Sequence, residues 1–245
     1  MLTSLADGAL LAEKFGATPP TVVALHGWAR SGADFSGVVD GLDAVAIHLP
    51  GFGITPEPST AWGSEDYAES LAAAIESYGP VVIVGHSFGG RVAVRLAARR
   101  PDLVRGLLLT GVPLKRLVAA PAPALGYRIL RSLAKSGLVS KKAMEKQREK
   151  RGSEDYRNAR GVMRDVLVRS VNENYDSDLA RIVAPTRMVW GERDTSAPAD
   201  AGLAASRMIA GSTFRVVPGA GHLIEDGLQG ELRSELQALI AEVDA

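Results

Sequence analysis

Ser87, Asp194 and His222 are the side chains whose types and chain order suit nucleophilic acyl transfer. A serine hydroxyl attacks a carbonyl only when a base takes its proton. That base in turn needs an acid to fix its tautomer and to stabilise the cation it becomes. Ser87 stands in Gly85-His86-Ser87-Phe88-Gly89, a Gly-x-Ser-x-Gly pattern. Val81, Val82, Ile83 and Val84 run straight into it, and residues 91–98 carry apolar side chains at helical spacing. The spacing predicts a buried strand, a sharp turn and a helix. Such a turn forces its serine into a strained backbone conformation, and glycines two before and two after it remove Cβ atoms that would collide. The helix N-terminus beneath the serine points free N–H groups at any anion formed there. Without a base nearby, the same segment reads as a Gly-rich strand-to-helix turn capped by Ser87.

Four histidines could serve as that base. His222 follows the last predicted strand in Gly219-Ala220-Gly221-His222, at the same sheet edge as Ser87, and is the candidate. His86 directly precedes Ser87, so its side chain is expected to point elsewhere. His48 lies in a predicted strand and suits a core or half-buried role. His26 opens His26-Gly27-Trp28 and suits a structural hydrogen bond. Asp194 ends the strand before the one that leads to His222, which makes it the candidate acid. Asp200 and Asp226 compete with it, but both fall in or near predicted helices, where capping or solvation accounts for them. The oxyanion of acyl transfer needs fixed donors. The backbone N–H of Phe88 is one. That of Trp28, in the loop after the strand over residues 21–25, is the second. The Trp28 ring is expected to line the acyl pocket.

These groups need a scaffold. Residues 21–25, 44–49, 81–84, 104–110, 186–190 and 213–217 read as strands, and residues 9–16 as a weaker one. Helical patterns lie between them, at 34–42, 64–78, 198–208 and 228–243. The alternation predicts a parallel sheet with helices on both faces. It is interrupted over residues 113–181, which are rich in charge and predict no strand. The expected division is a core of residues 1–112 and 182–245. A helical cap of residues 113–181 would lie over the C-terminal edge of the sheet, with little direct packing into the main core. From Lys115 to Arg181 there are sixteen Lys and Arg against eight Asp and Glu. Lys141, Lys142, Lys146, Arg148, Lys150 and Arg151 read first as a solvated helix face. Their second reading is a basic rim for an acidic substrate or carrier.

The chain has 245 residues and a formal net charge of zero, which gives no electrostatic argument for nucleic acid. It has no cysteine, so disulfides, thiolate metal sites and a cysteine nucleophile are excluded. Residues 1–8 lack the pattern of a secretion signal, and no apolar run is long enough to span a bilayer; the expectation is a cytoplasmic protein without a membrane span.

His26-Gly27-Trp28, Leu49-Pro50-Gly51-Phe52-Gly53, Gly85-His86-Ser87-Phe88-Gly89-Gly90, Gly191-Glu192-Arg193-Asp194 and Gly221-His222 follow one another in the order of a known family. In these motifs the chain resembles the α/β-hydrolase superfamily, in its compact capped-esterase branch. The resemblance implies a mostly parallel eight-stranded sheet, a helical lid and a Ser-His-Asp mechanism with no metal and no cofactor. His-Gly-Trp and Leu-Pro-Gly-Phe-Gly are similar to elements of the pimeloyl-carrier-protein methyl ester esterases. That similarity implies an acidic acyl carrier protein as a partner for the basic cap. The chain departs from those enzymes in carrying His86 where they commonly have Trp. The expected activity is hydrolysis of a small-molecule carboxylic ester or thioester through an acyl-enzyme on Ser87. The alternatives are hydrolysis of a C–C bond next to a carbonyl, and a non-catalytic ligand-binding module on the same fold.

Overall fold

A computed structural model describes residues 1–117, 136, 140 and 153–245. Eight strands form one sheet: β1 (Leu2–Leu5), β2 (Leu10–Phe15), β3 (Val22–Leu25), β4 (Ala44–His48), β5 (Val81–His86), β6 (Val104–Thr110), β7 (Thr186–Gly191) and β8 (Thr213–Val217). Their order is β1-β2-β4-β3-β5-β6-β7-β8. β2 runs antiparallel to both of its neighbours, and all other pairings are parallel. This is an α/β-hydrolase fold, as the resemblance implied.

The central strands are buried on both faces, which is why they read as unbroken apolar runs rather than as alternating ones. Successive side chains of a strand point to opposite faces. Val23, Leu25, Ile83, Leu107 and Leu109 accordingly join one buried cluster, and Val22, Ala24, Val82, Val84 and Leu108 join the other. Helices α2 (Ser64–Ile75) and α3 (Ser87–Arg99) cover the first face through Leu71, Ile75, Val92 and Leu96. Helices α1 (Ser36–Val39) and α8 (Gln229–Val243) cover the second through Val38, Leu232 and Leu236.

The structure differs locally from the sequence reading. β1 was not predicted; it pairs only with β2, at the sheet edge, and only Leu5 of its residues is buried, so it carries little apolar signal. The helix predicted over residues 34–42 is a 3-10 turn (Gly32–Phe35) followed by the single turn α1. Helix α2 tightens into 3-10 geometry over Glu76–Tyr78 and stops at Gly79, whose φ of 73° is easy for glycine alone.

The described part of the 113–181 stretch holds α4 (Glu154–Asn158), α5 (Gly161–Ser170) and α6 (Asp176–Leu179). The expectation of little packing into the core is corrected here. Met163, Val166, Tyr175 and Leu179 are buried in the same cluster as Leu71 and Val92. Polar contacts fasten this packing. Buried Asp178 pairs with Arg95 of α3. Glu173 accepts from the Ser64 amide (3.0 Å), the Ser64 hydroxyl (2.6 Å) and the Tyr175 hydroxyl (2.6 Å). The basic residues from Lys141 to Arg151 lie outside the described residues. α7 (Ala199–Ser206) follows β7.

Candidate active site

The turn from β5 into α3 puts Ser87 at a φ of 49°, in the left-handed region. For a residue with a Cβ this stores about 1–3 kcal/mol of strain, which the surrounding packing must hold. The flanking glycines show how tightly the turn is held. A Cβ at Gly85 would lie 2.6 Å from Gly90 Cα, and one at Gly89 would lie 2.3 Å from the Leu25 carbonyl oxygen. The Gly89 amide donates to the His26 carbonyl at 3.0 Å, tying the start of α3 to the end of β3.

Ser87 Oγ lies 3.2 Å from His222 Nε2, and His222 Nδ1 lies 2.8 Å from Asp194 Oδ2. The Asp194 side chain is shielded from solvent. Its other oxygen accepts from the amides of Ser196 (2.9 Å) and Ala197 (2.8 Å). An ionised carboxylate only accepts, so Nδ1 of His222 must carry the proton and Nε2 must present its lone pair to the Ser87 hydroxyl. Bonds between the two loops hold the acid and base together: the Glu192 amide donates to the Val217 carbonyl at 3.1 Å, and the Arg193 amide to the Ala220 carbonyl at 2.9 Å.

Gly111, at the end of β6, was missed in the sequence. Its φ is 58°, and a Cβ there would lie 3.1 Å from the His222 ring and 3.3 Å from Asp194 Oδ2. Thr110-Gly111 closing a predicted strand was the available signal. Asp200 falls in the first turn of α7, and no hydrogen bond or ion pair joins it to His222. Asp226 falls in the π-helical turn Ile224–Leu228.

A cavity of about 430 Å³ opens beside Ser87 and His222, and Trp28 and Phe88 both line it. Among the described residues, neither the Trp28 nor the Phe88 amide has a protein acceptor. The Trp28 ring packs edge-on against Phe52 (4.8 Å) and Phe88 (5.4 Å), giving the cavity an aromatic wall.

A model of the alpha/beta hydrolase family matches residues 22–228. The chain belongs to that family. Lipase LipV of Mycobacterium tuberculosis is 37% identical over 103 residues, 40% of this chain and 39% of that protein. A pimeloyl-[acyl-carrier protein] methyl ester esterase of Neisseria meningitidis is 39% identical over 119 residues, 44% of this chain and 45% of that one. The similarity thus spans less than half the length of these relatives. The crystal structure of a putative lipase of Acinetobacter baumannii superposes with a TM-score of 0.73 at 20% identity, covering 100% of this chain and 92% of that one. Among the described residues, no helix of this family member is long and apolar enough to cross a membrane.

The remaining histidines of this α/β-hydrolase fall into two kinds. His26 Nδ1 donates to the Gly27 carbonyl at 2.7 Å, and its Nε2 accepts from the Leu49 amide at 3.0 Å, so it pins the loop that carries Trp28. His48 is buried at the end of β4, where its Nδ1 accepts from the Gly32 amide at 3.4 Å. His86 requires a correction: its side chain does not point away from the site. Nε2 donates to the His222 carbonyl oxygen at 3.0 Å, and the two rings lie 4.9 Å apart. Strand alternation explains this. His86 shares the face of Val82 and Val84, and Ala220 and Ile224, which flank His222, cover that face.

Burial pushes both His26 and His86 down to about 4. In the unfolded chain each takes up its proton near 6.5. Between those limits the unfolded state binds more protons, so both histidines favour the folded state fully above pH 6.5 and progressively less as the pH falls toward 4. Each is expected to cost up to about 1.4 kcal/mol per pH unit across that window. Thermal melts at pH 7 and pH 5 check this: His86→Gln should lose less Tm between them than the unsubstituted chain. An equal loss would show that His86 does not titrate there.

Proposed function

We propose that this protein hydrolyses carboxylic esters through an acyl-enzyme on Ser87. The observation that carries the reading is the unbroken path from Ser87 Oγ through His222 to buried Asp194, set beside a cavity lined by Trp28 and Phe88. His222 Nε2 takes the hydroxyl proton as Ser87 attacks the ester carbonyl. Asp194 stabilises the resulting imidazolium through Nδ1. The amides of Trp28 and Phe88 are available for the oxyanion, which fixed donors stabilise far better than water does. His222 then protonates the leaving alcohol and activates the water that releases the acid. The relatives named lipase and esterase support the ester bond as the target. The charge excess of residues 115–181, together with the carrier protein in the name of the Neisseria relative, supports a carrier-borne acyl group as a second reading.

A fluorophosphonate probe and a panel of p-nitrophenyl esters of rising acyl length test the ester reading. The probe should label one serine stoichiometrically, at Ser87, and block turnover of every ester hydrolysed. Undiminished labelling of Ser87→Ala, or ester turnover that survives complete labelling, would overturn it.

A further inference from the structure

Arg91, Arg95 and Arg99 recur at helical spacing along α3. Arg95 pairs with Asp178, and Arg99 with Glu65. Arg91 lies closest to Ser87, one helical turn along, and it breaks the series. Its guanidinium donates to two carbonyl oxygens, of Ser170 (2.8 Å) and Pro113 (3.4 Å), and its buried Nε has no hydrogen-bond partner. Among the described residues no carboxylate lies within ion-pair distance of it. Glu173, one of the acids nearest to it, is already committed to Ser64 and Tyr175.

Arg116, an exposed residue, stands beside it. It donates to the Val171 carbonyl and has no acidic partner among the described residues. Both arginines line the cavity that holds Ser87. A third arginine of that wall, Arg30, is neutralised by Asp34 and Glu225 (2.6 Å each). Among the described residues Asp155 is the one carboxylate lining the cavity, and no ion pair joins it to Arg91 or Arg116.

An arginine stays charged when buried, and a buried charge without a counter-ion is costly. Burial lowers the proton affinity of Arg91, and the Arg116 charge beside it lowers it further. Charges of one sign at one end of a reaction cavity favour a ligand that brings the other sign there. The guanidinium fork matches a planar carboxylate through paired N–H donors.

We infer that Arg91, assisted by Arg116, forms an anion subsite that selects esters carrying a free carboxylate, such as half-esters of dicarboxylic acids. This rests on the ester-hydrolase reading and names its substrate class. The carboxylate would sit against Arg91 and Arg116 while the ester carbonyl meets Ser87. A fully esterified diacid would leave both guanidinium groups unpaired.

Monoethyl adipate and diethyl adipate share one ester and one chain and differ in the free carboxylate. Their hydrolysis can be followed by acid release. The unsubstituted protein should favour the half-ester in kcat/KM. Charge-assisted hydrogen bonds contribute about 1.5–3 kcal/mol, so Arg91→Met should lower the half-ester to diester ratio by about tenfold to a hundredfold, chiefly through KM. Arg91→Lys should keep part of the preference, Arg116→Met should lose part of it, and added salt should weaken it. A ratio at or below one in the unsubstituted protein, or the same ratio in Arg91→Met, would overturn the inference.

Binding separates this failure from that of the ester reading. Adipate titrated calorimetrically into Ser87→Ala should bind, and the Ser87→Ala, Arg91→Met protein should not bind it. No binding to Ser87→Ala would overturn the subsite even with diethyl adipate turned over. Binding without hydrolysis of either ester would support the subsite and defeat the ester reading.

Discussion

Ser87→Ala is expected to lower kcat for ester hydrolysis by about 10⁴–10⁶-fold, because no group remains to form the acyl-enzyme. KM should change little, since the walls from Trp28, Phe88 and Leu167 are untouched. Residual turnover above water would come from the free amides and from binding alone. Steady-state kinetics on a p-nitrophenyl ester check the size of the loss; a loss below about tenfold would mean that another nucleophile does the work. The same position predicts a stability effect of the opposite kind. Ser87 sits at a φ of 49° that alanine also resists, so Ser87→Ala should melt close to the unsubstituted protein. Ser87→Gly should melt higher, as glycine relieves the strain, although the unfolded chain's added freedom offsets part of that gain.

Asp194→Asn is expected to cut kcat by about 10⁴-fold while the fold survives. The asparagine carbonyl oxygen can keep the bonds from the Ser196 and Ala197 amides. Its NH₂ group then faces His222 Nδ1 where a carboxylate stood. Nδ1 must become the acceptor, the proton moves to Nε2, and the ring offers Ser87 a hydrogen instead of a lone pair. Circular dichroism and Tm should stay near those of the unsubstituted protein while turnover collapses. Asp200→Asn should leave turnover nearly intact. A loss with Asp200→Asn comparable to that with Asp194→Asn would mean that the acid has been assigned to the wrong strand end.

Much of this arrangement is legible in the amino-acid sequence. The run from Val81 to Gly90 carries its own geometry, because a β-branched strand, two spaced glycines and an apolar helix leave few other conformations for the serine. Asp194 and His222 could be placed because each follows a predicted strand, and parallel strands bring their C-terminal ends to one edge. His86 could not be oriented in this way. Its side chain direction depends on which face of β5 the His222 loop covers, which is a fact about residues 136 positions apart. The part of the 113–181 stretch that packs on α2 and α3 was misread for a related reason. Read as a cap over the sheet edge, it was expected to pack little on the core, yet Asp178 and Glu173 are spent on Arg95, Ser64 and Tyr175, which only the packed chain brings within reach.

The sequence by itself determined the strand-elbow-helix unit, the alternation that builds the sheet, and the chain order of serine, acid and base. These follow from local sterics and from the period of apolar residues, which short stretches carry without help. Tertiary structure alone decided the rest: the clearance that Gly111 leaves for His222, the bonds that orient Asp194, and, among the described residues, the absence of an acid within ion-pair distance of Arg91. Whether a charge is paired depends on which distant side chains arrive next to it. Arg91, Arg95 and Arg99 are alike in sequence, and they differ only in what the folded chain has placed within reach of each.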